Sequence, residues 1–250
     1  MSRIAAMLFA ILAYAIFFAT FLYLVVFVGD FPLATLTVDN GPGGEPVTAA
    51  LIDTGLIALF GLQHSIMARQ GFKRWWMKIV PPPIERSIFV LAASAVLMFL
   101  FLAWRPIDRI VWSVNPITHP LVNDVIWIAF WIGWLTVLLS TFLINHFELF
   151  GLQQAWYHLR GRDVEPPKFR QPLFYKYVRH PLYLGFFFAF WAAPEMTVGH
   201  LLLAVGMSIY MLIAIRYEEH DLISLFGRDY ELYRERVGML TPRFRRKTTG

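Results

Sequence analysis

Residues 4–28 read IAAMLFAILAYAIFFATFLYLVVFV, without a single charge. At 1.5 Å per residue, about 20 apolar residues cross the roughly 30 Å hydrocarbon core of a bilayer. This run exceeds that length. It is also longer than the roughly 7–15-residue apolar region of a signal peptide and has no clear small-residue cleavage site, so it reads as a retained membrane helix. The pattern recurs at 47–67, 87–104, 121–144, 181–193 and 197–216. The run 181–193 is short. Either it begins nearer Tyr175, or it is half of a tight helical hairpin turned by Pro194-Glu195. The expected fold is an all-α integral membrane protein of five to six transmembrane helices. It has four N-terminal spans within 1–144, a C-terminal core with a helical hairpin over 175–240, and a cytoplasmic amphipathic tail helix, all as one domain over 1–250.

Composition points the same way. Hydrophobic residues make up 58% of the 250 and charged residues only 16%, against about 25% in soluble domains. There is no cysteine, which excludes disulfides, Cys-ligated zinc, iron–sulfur clusters and a cysteine nucleophile. The net charge of +5 comes from basic residues placed between apolar runs. That placement speaks for topology and contact with membrane lipids, and no nucleic acid partner is expected. With both termini in the cytoplasm, all of the 22 Lys and Arg except Arg105 and Arg109 fall on the cytoplasmic side, as the positive-inside rule requires. Loop 29–46 (GDFPLATLTVDNGPGGEP) is then an irregular external loop, and 160–173 (RGRDVEPPKFRQPL) a Pro-broken cytoplasmic connection. The basic end RFRRKTTG (243–250) is expected to fray near anionic lipid.

This orientation sorts the chemistry-capable residues. His64 lies in GLQHSIMAR (61–69), Asn145, His146 and Glu148 in FLINHFELFG (142–151), Arg179 and His180 just before the run at 181, and Glu218, Glu219 and Asp221 in RYEEHDLISLFG (216–227). Four segments thus bring polar groups to the cytoplasmic rim of the bundle. Such groups are costly beside apolar helices unless paired or functional, so a cytoplasm-facing site is expected; the alternative is a ring of helix caps and headgroup contacts. Pro181 suits a first helical position. A helix N-terminus flanked by Arg179 and His180 suits an anionic group, and Gly185 admits close approach to the backbone. Glu218 and Glu219 point about 100° apart on a helix, so one faces the bundle. His64, His146, Glu148 and His180 are the acid–base candidates. The same four are metal-ligating types, but they match neither H-x-x-x-H nor H-E-x-x-H, and no metal ligand is assigned. His119, His158 and His200 read as loop or interface residues, and Asp53 as a paired structural group. Tyr230, Tyr233 and Val237 form an apolar stripe on the charged segment RDYELYRERV, which is expected to pack against the bundle mouth.

Taken in order, RHPLYLG (179–185), EEHDL (218–222) and FGRDYELYRERV (226–237) resemble the C-terminal core of the isoprenylcysteine carboxyl methyltransferase and phospholipid methyltransferase superfamily. With FGLQHSIMAR (60–69), KRWW (73–76), STFLINHFELFGLQQAW (140–156) and WAAPEMTVGHLL (191–202), the whole chain resembles the bacterial methanethiol S-methyltransferases. The resemblance implies S-adenosylmethionine as methyl donor, a small thiol (methanethiol) as acceptor, dimethyl sulfide as product, and a bacterial inner membrane location. It implies that Arg179, His180, Tyr183 and Gly185 line the cofactor cleft and that Glu218 and Glu219 contact the cofactor. The extra N-terminal spans of the prenylcysteine enzymes are absent, which argues against a bulky prenyl substrate. The chemistry is consistent: a carboxylate suits Arg and His at a helix N-terminus, an ammonium or ribose hydroxyl suits Glu, and a sulfonium suits the face of Tyr183. A thiol of pKa about 8.5 is mostly protonated at neutral pH, so a base is useful. The residues also leave open methylation of a lipid amine or another thiol, and a non-enzymatic transporter or haem-binding protein using His64 and His146.

Overall fold

The computed structural model describes residues 1–164 and 169–243; beyond Arg243, the basic end lies outside the described residues. In chain order the helices are α1 (Arg3–Val28), α2 (Pro46–Ala68), α3 (Gln70–Trp76), α4 (Pro82–Ala103), α5 (Pro120–Ile144), α6 (His146–Leu149), α7 (Leu152–Arg160), α8 (Pro181–Trp191), α9 (Val198–Phe226) and α10 (Arg228–Arg236). Two short strands, β1 (Ile110–Ser113) and β2 (Glu195–Thr197), complete the order. Five helices (α1, α2, α4, α5 and α9) are long and apolar enough to cross a membrane. The protein is an all-α integral membrane protein.

Local chemistry sets the helix starts. Proline occupies the first turn of α2, α4, α5 and α8, where its missing N–H leaves no bond unmade. The Glu45 carboxylate caps α2 by accepting from the amides of Val47 at 3.1 Å and Thr48 at 2.8 Å. Thr197 caps α9 by accepting from His200 N at 3.0 Å. α9 continues ten residues past the apolar run that announces it and stops at Gly227, whose φ of 56° suits glycine. Glu218, Glu219 and Asp221 therefore sit within α9.

At 11 residues, α8 is about 16 Å long, roughly half a bilayer core. It runs along α5 in backbone contact. A Cβ built on Gly185 would lie 2.7 Å from Gly133 O and 2.8 Å from Val137 N, and one on Gly133 would lie 2.7 Å from both Gly185 O and Ala189 N. In lipid, apolar burial gives little drive to bring helices together; close packing of small residues does. α1 uses the same device, burying Ala6, Ala10 and Ala13 along one face. Trp134 of α5 meets Phe186 and Phe190 of α8 edge-on at 5.9 and 6.3 Å, within a core that also holds Phe27, Trp104 and Phe130.

Cross-links define the two ends of the bundle. β1 pairs antiparallel with β2, Trp112 opposite Met196. The Thr197 hydroxyl bonds Asp39, and Trp104 Nε1 donates to Val38 O at 3.0 Å. Segments 29–45, 104–119 and 192–197 thus share one end, so the short hairpin α8–α9 reaches it despite the length of α8. At the other end Arg69 pairs with Asp221 at 3.3 Å, and Arg86 Nε donates to Leu149 O at 2.7 Å. His200, expected in a loop or interface, is buried in the first turn of α9, where Nε2–H donates to Phe190 O at 3.0 Å. Asp53 is buried and accepts from Arg105 N at 3.0 Å.

Candidate functional site

Pro181 disfavours a helical residue before it, and His180 is correspondingly non-helical at φ −126° and ψ 64°. The chain enters α8 as an extended segment, and that segment finds a partner in the tail. Arg179 N donates to Gly238 O at 2.9 Å and His180 N to Met239 O at 3.1 Å, beside a parallel bridge between Val178 and Gly238. The tail is held in turn by α10, where Tyr233 Oη donates to Tyr175 O at 2.6 Å.

Glu219 organises the side chains at this junction. Its Oε1 accepts from Arg179 Nε at 2.7 Å and lies 3.1 Å from His180 Nε2. Arg179 also donates through Nη1 to the carbonyls of Arg234, at 3.2 Å, and Val237. The Arg179 and Glu219 side chains are only 6% and 13% exposed, whereas Glu218 is 42% exposed, with Oε2 3.9 Å from His180 Nδ1. The adjacent carboxylates are therefore divided in role: Glu219 is internal and committed to Arg179 and His180, and Glu218 is open.

Glu218 opens into a cavity of about 570 Å³ at the basic end of the bundle, within the roughly 300–1,000 Å³ typical of ligand sites. Arg179, His180 and Glu218 form one wall. A second, aromatic wall comes from Phe169, Tyr175, Phe226, Tyr230 and Tyr233. A third carries the charges of Lys73, Glu85, Arg86 and Glu148. Around Glu148 runs an amide relay. Asn145 Nδ2 donates to Glu148 Oε2 at 2.8 Å and to Gln153 Oε1 at 2.5 Å, and Gln153 Nε2 to Tyr157 Oη at 3.2 Å. Burial and the charge of Glu218 push the Tyr175 hydroxyl above its ordinary range, and burial pushes Tyr233 up to about 12; both remain donors at physiological pH. Burial, with Arg86 nearby, holds the Lys73 ammonium below its ordinary range. Among the described residues, Tyr175 Oη, Tyr230 Oη and Gln154 Oε1 are buried without a hydrogen-bond partner, and all three residues line this cavity. Buried polar atoms are rarely left unmatched, so the cavity has the character of a polar ligand site.

Of the residues expected from sequence, the cavity gathers Glu148, Arg179, His180 and Glu218. Glu219 stands behind them. Tyr183 lies one turn into α8, its ring edge-on to His180 at 5.7 Å. The close approach at Gly185 is made by the α5 backbone. His64 sits among the rings of Phe89, Phe60 and Tyr210 at 4.9, 5.5 and 6.2 Å. His146 is buried away from the cavity, with Nε2 2.8 Å from Tyr14 Oη, Nδ1 2.8 Å from Thr141 Oγ1, and its ring stacked on Phe142 at 4.0 Å. Burial holds its imidazole below the ordinary value. Among the described residues no three His, Cys, Asp or Glu groups gather as a metal site. Sequence reasoning missed Lys73, Arg86, Gln154 and Tyr175 as cavity residues. The available signal was Arg86, a charge one turn inside an apolar helix.

No family model matches the chain, and no solved structure matches it. Curated relatives do. Methanethiol S-methyltransferase 1 of Bradyrhizobium diazoefficiens is 49% identical over 240 residues, covering 96% of this chain and 83% of that protein. Methanethiol S-methyltransferase of Pseudomonas deceptionensis is 51% identical over 210 residues, covering 84% and 79%. The Mycobacterium tuberculosis protein of the same name is 45% identical over 242 residues, covering 97% and 98%. At that identity across nearly the whole length, this chain belongs to the methanethiol S-methyltransferase family.

Proposed function

We propose that this protein transfers a methyl group from S-adenosylmethionine to methanethiol, giving dimethyl sulfide, in the cavity beside Arg179, His180 and Glu218. The basic end of the bundle, with both termini, faces the cytoplasm, as its Lys and Arg content favours. The observation that carries the reading is the cavity: it brings the Arg179-His180 and Glu218 motifs to one polar chamber with unmatched Tyr175, Tyr230 and Gln154 atoms. A methyl donor bearing a carboxylate, an ammonium, ribose hydroxyls and a nucleobase needs such a mixture of cations, carboxylates and rings. When bound, S-adenosylmethionine supplies an electrophilic methyl on a sulfonium.

The chain's own residues do the rest. Glu219 fixes the His180 tautomer by accepting from Nε2–H, which leaves a lone pair at Nδ1. His180 takes the thiol proton there, and Glu218, at 3.9 Å, stabilises the imidazolium that results. His64 and His146 lie outside the cavity, His64 packed edge-on against Tyr210 and His146 tying α1 to the start of α6. Arg179 and the tail hold His180 in register, so the protein's contribution is largely positioning and exclusion of water.

The test is headspace gas chromatography on membranes containing the protein, supplied with S-adenosylmethionine and methanethiol. A double variant, Glu218→Ala with Glu219→Ala, is the control. Dimethyl sulfide from the wild type alone is the expected result. Cofactor binding without that product would hand the acceptor role to a lipid amine or a larger thiol. No product and no cofactor binding would overturn the proposal.

A further inference from the structure

The cavity is chemically polar along its length. Its aromatic end is built by Phe169, Phe226, Tyr230 and Tyr233, which pack on one another with ring centroids 5.3 to 6.0 Å apart. Its charged end is built by α3, α4 and α6, from Lys73, Glu85, Arg86 and Glu148. The cations at the two places differ in one decisive respect. Arg179 has a counter-ion, Glu219 at 2.7 Å. Among the described residues, Lys73 and Arg86 have no carboxylate within ion-pair distance, and the Arg86 bond found is Nε–H to Leu149 O at 2.7 Å. Arg86 also lies over the Phe89 ring at 4.7 Å, which fixes its guanidinium. Glu85 and Glu148 flank the two cations without pairing with them. Among the described residues this wall alternates cations that have no ion-pair partner with carboxylates, a pattern that matches a zwitterion, an α-carboxylate beside an α-ammonium.

Resting on the donor proposed above, we infer that the amino-acid end of S-adenosylmethionine docks on this α3–α4–α6 wall. Arg86 and Lys73 receive its carboxylate and Glu148 its ammonium, while the aromatic end receives the base. Arg179, the residue that the sequence singles out for the carboxylate, is instead the clamp that joins α8 to the tail. The Lys73 ammonium is held below its ordinary range by burial first and then by Arg86, with Glu85 and Asp221 only partly offsetting them. A bound carboxylate would relieve that repulsion.

Calorimetric titration of the purified full chain tests the orientation with two probes. S-adenosylhomocysteine carries the amino-acid end; 5′-methylthioadenosine keeps the nucleoside and lacks it. Arg86→Ala and Lys73→Ala should each weaken S-adenosylhomocysteine by roughly 10- to 100-fold, the scale of a charge-assisted hydrogen bond. They should leave 5′-methylthioadenosine unchanged, and Arg86→Lys should recover part of the loss. Tyr230→Ala should weaken both probes. Thermal melting of each variant separates misfolding from lost contact, and Lys73→Ala stands in if Arg86→Ala does not fold. Equal loss of both probes, or no loss of either, in folded Lys73 and Arg86 variants would overturn the inference and leave the methyltransferase reading standing. A wild type that binds neither probe would overturn the donor assignment itself.

Discussion

Gly185→Ala is the most informative single perturbation of this fold. The added methyl would sit 2.7 Å from Gly133 O and 2.8 Å from Val137 N, both backbone atoms that cannot rotate aside. Ordinary contact begins at 3.4 Å, so α8 must move off α5 by at least the 0.7 Å between 2.7 Å and 3.4 Å. Overpacking of this kind costs about 1–3 kcal/mol. Against it stands the helix propensity of Ala over Gly, about 0.8–1 kcal/mol. The net expectation is a loss of up to about 2 kcal/mol and a lower melting temperature. The rate should fall further than stability, because α8 carries His180 at its start and a 1 Å misplacement costs on the order of 100-fold. The assay is paired: thermal unfolding of the purified protein, and initial rates of dimethyl sulfide formation. Gly55→Ala on α2 is the matched control, since nothing lies within 4 Å of a Cβ there and Ala should be neutral or stabilising. A Gly185→Ala protein with wild-type melting temperature and wild-type rate would show that α5 and α8 do not meet backbone to backbone, and would return Gly185 to a ligand-facing role.

Three further outcomes are expected. Glu219→Ala strands the buried Arg179 charge and should destabilise by about 3–5 kcal/mol, whereas Glu218→Gln, on an open side chain, should melt like the wild type while losing turnover; parallel melting and rate measurements separate the two. Stability should fall as pH rises between about 4 and 6 through Asp39, whose carboxyl burial pushes up from 3.8 to about 6. The unfolded group ionises first, so the penalty is absent well below pH 4 and full above pH 6, of order 3 kcal/mol; Asp39→Asn should flatten that slope in unfolding measured across this range. His146→Phe keeps the stack on Phe142 but removes the bonds to Tyr14 and Thr141, and should cost about 1–3 kcal/mol in thermal unfolding.

The membrane class was legible because span length and missing charge are local properties. Residues 3–28 and 120–144 form helices within a residue of where their apolar runs begin and end. For α8 the short run 181–193 left two readings, a start nearer Tyr175 or half of a hairpin, and the helix begins at Pro181. The end of α9 at Phe226 was legible from Gly227, which suits the position after a helix, even though Glu218 and Asp221 interrupt hydropathy before it. β1 escaped notice because a four-residue exposed strand has no meaning until its partner 80-odd positions later is known. At the site, the RHP and Glu-Glu stretches could be named as a unit, but their division of labour could not: nothing in adjacent Glu218 and Glu219 says which one meets Arg179. His146 illustrates the limit most plainly. A histidine after a span reads as a base, and only the fold shows Nε2 bonded to Tyr14, 132 positions earlier, and Nδ1 bonded to Thr141.

The strand-like pairing of 178–180 with 238–239 bears on how the protein is made. Residues 237–239 leave the ribosome after every helix long enough to span has been synthesised. α8, too short to enter the bilayer by its own hydrophobicity, inserts as one arm of a hairpin with α9. A nascent chain with all five long helices in place therefore still has an unclosed cleft, with Arg179 lacking the Val237 carbonyl and His180 the Met239 carbonyl. The cleft closes in a single late step, and under the proposed function a chain cut before Val237 should reach the membrane yet fail to bind S-adenosylhomocysteine.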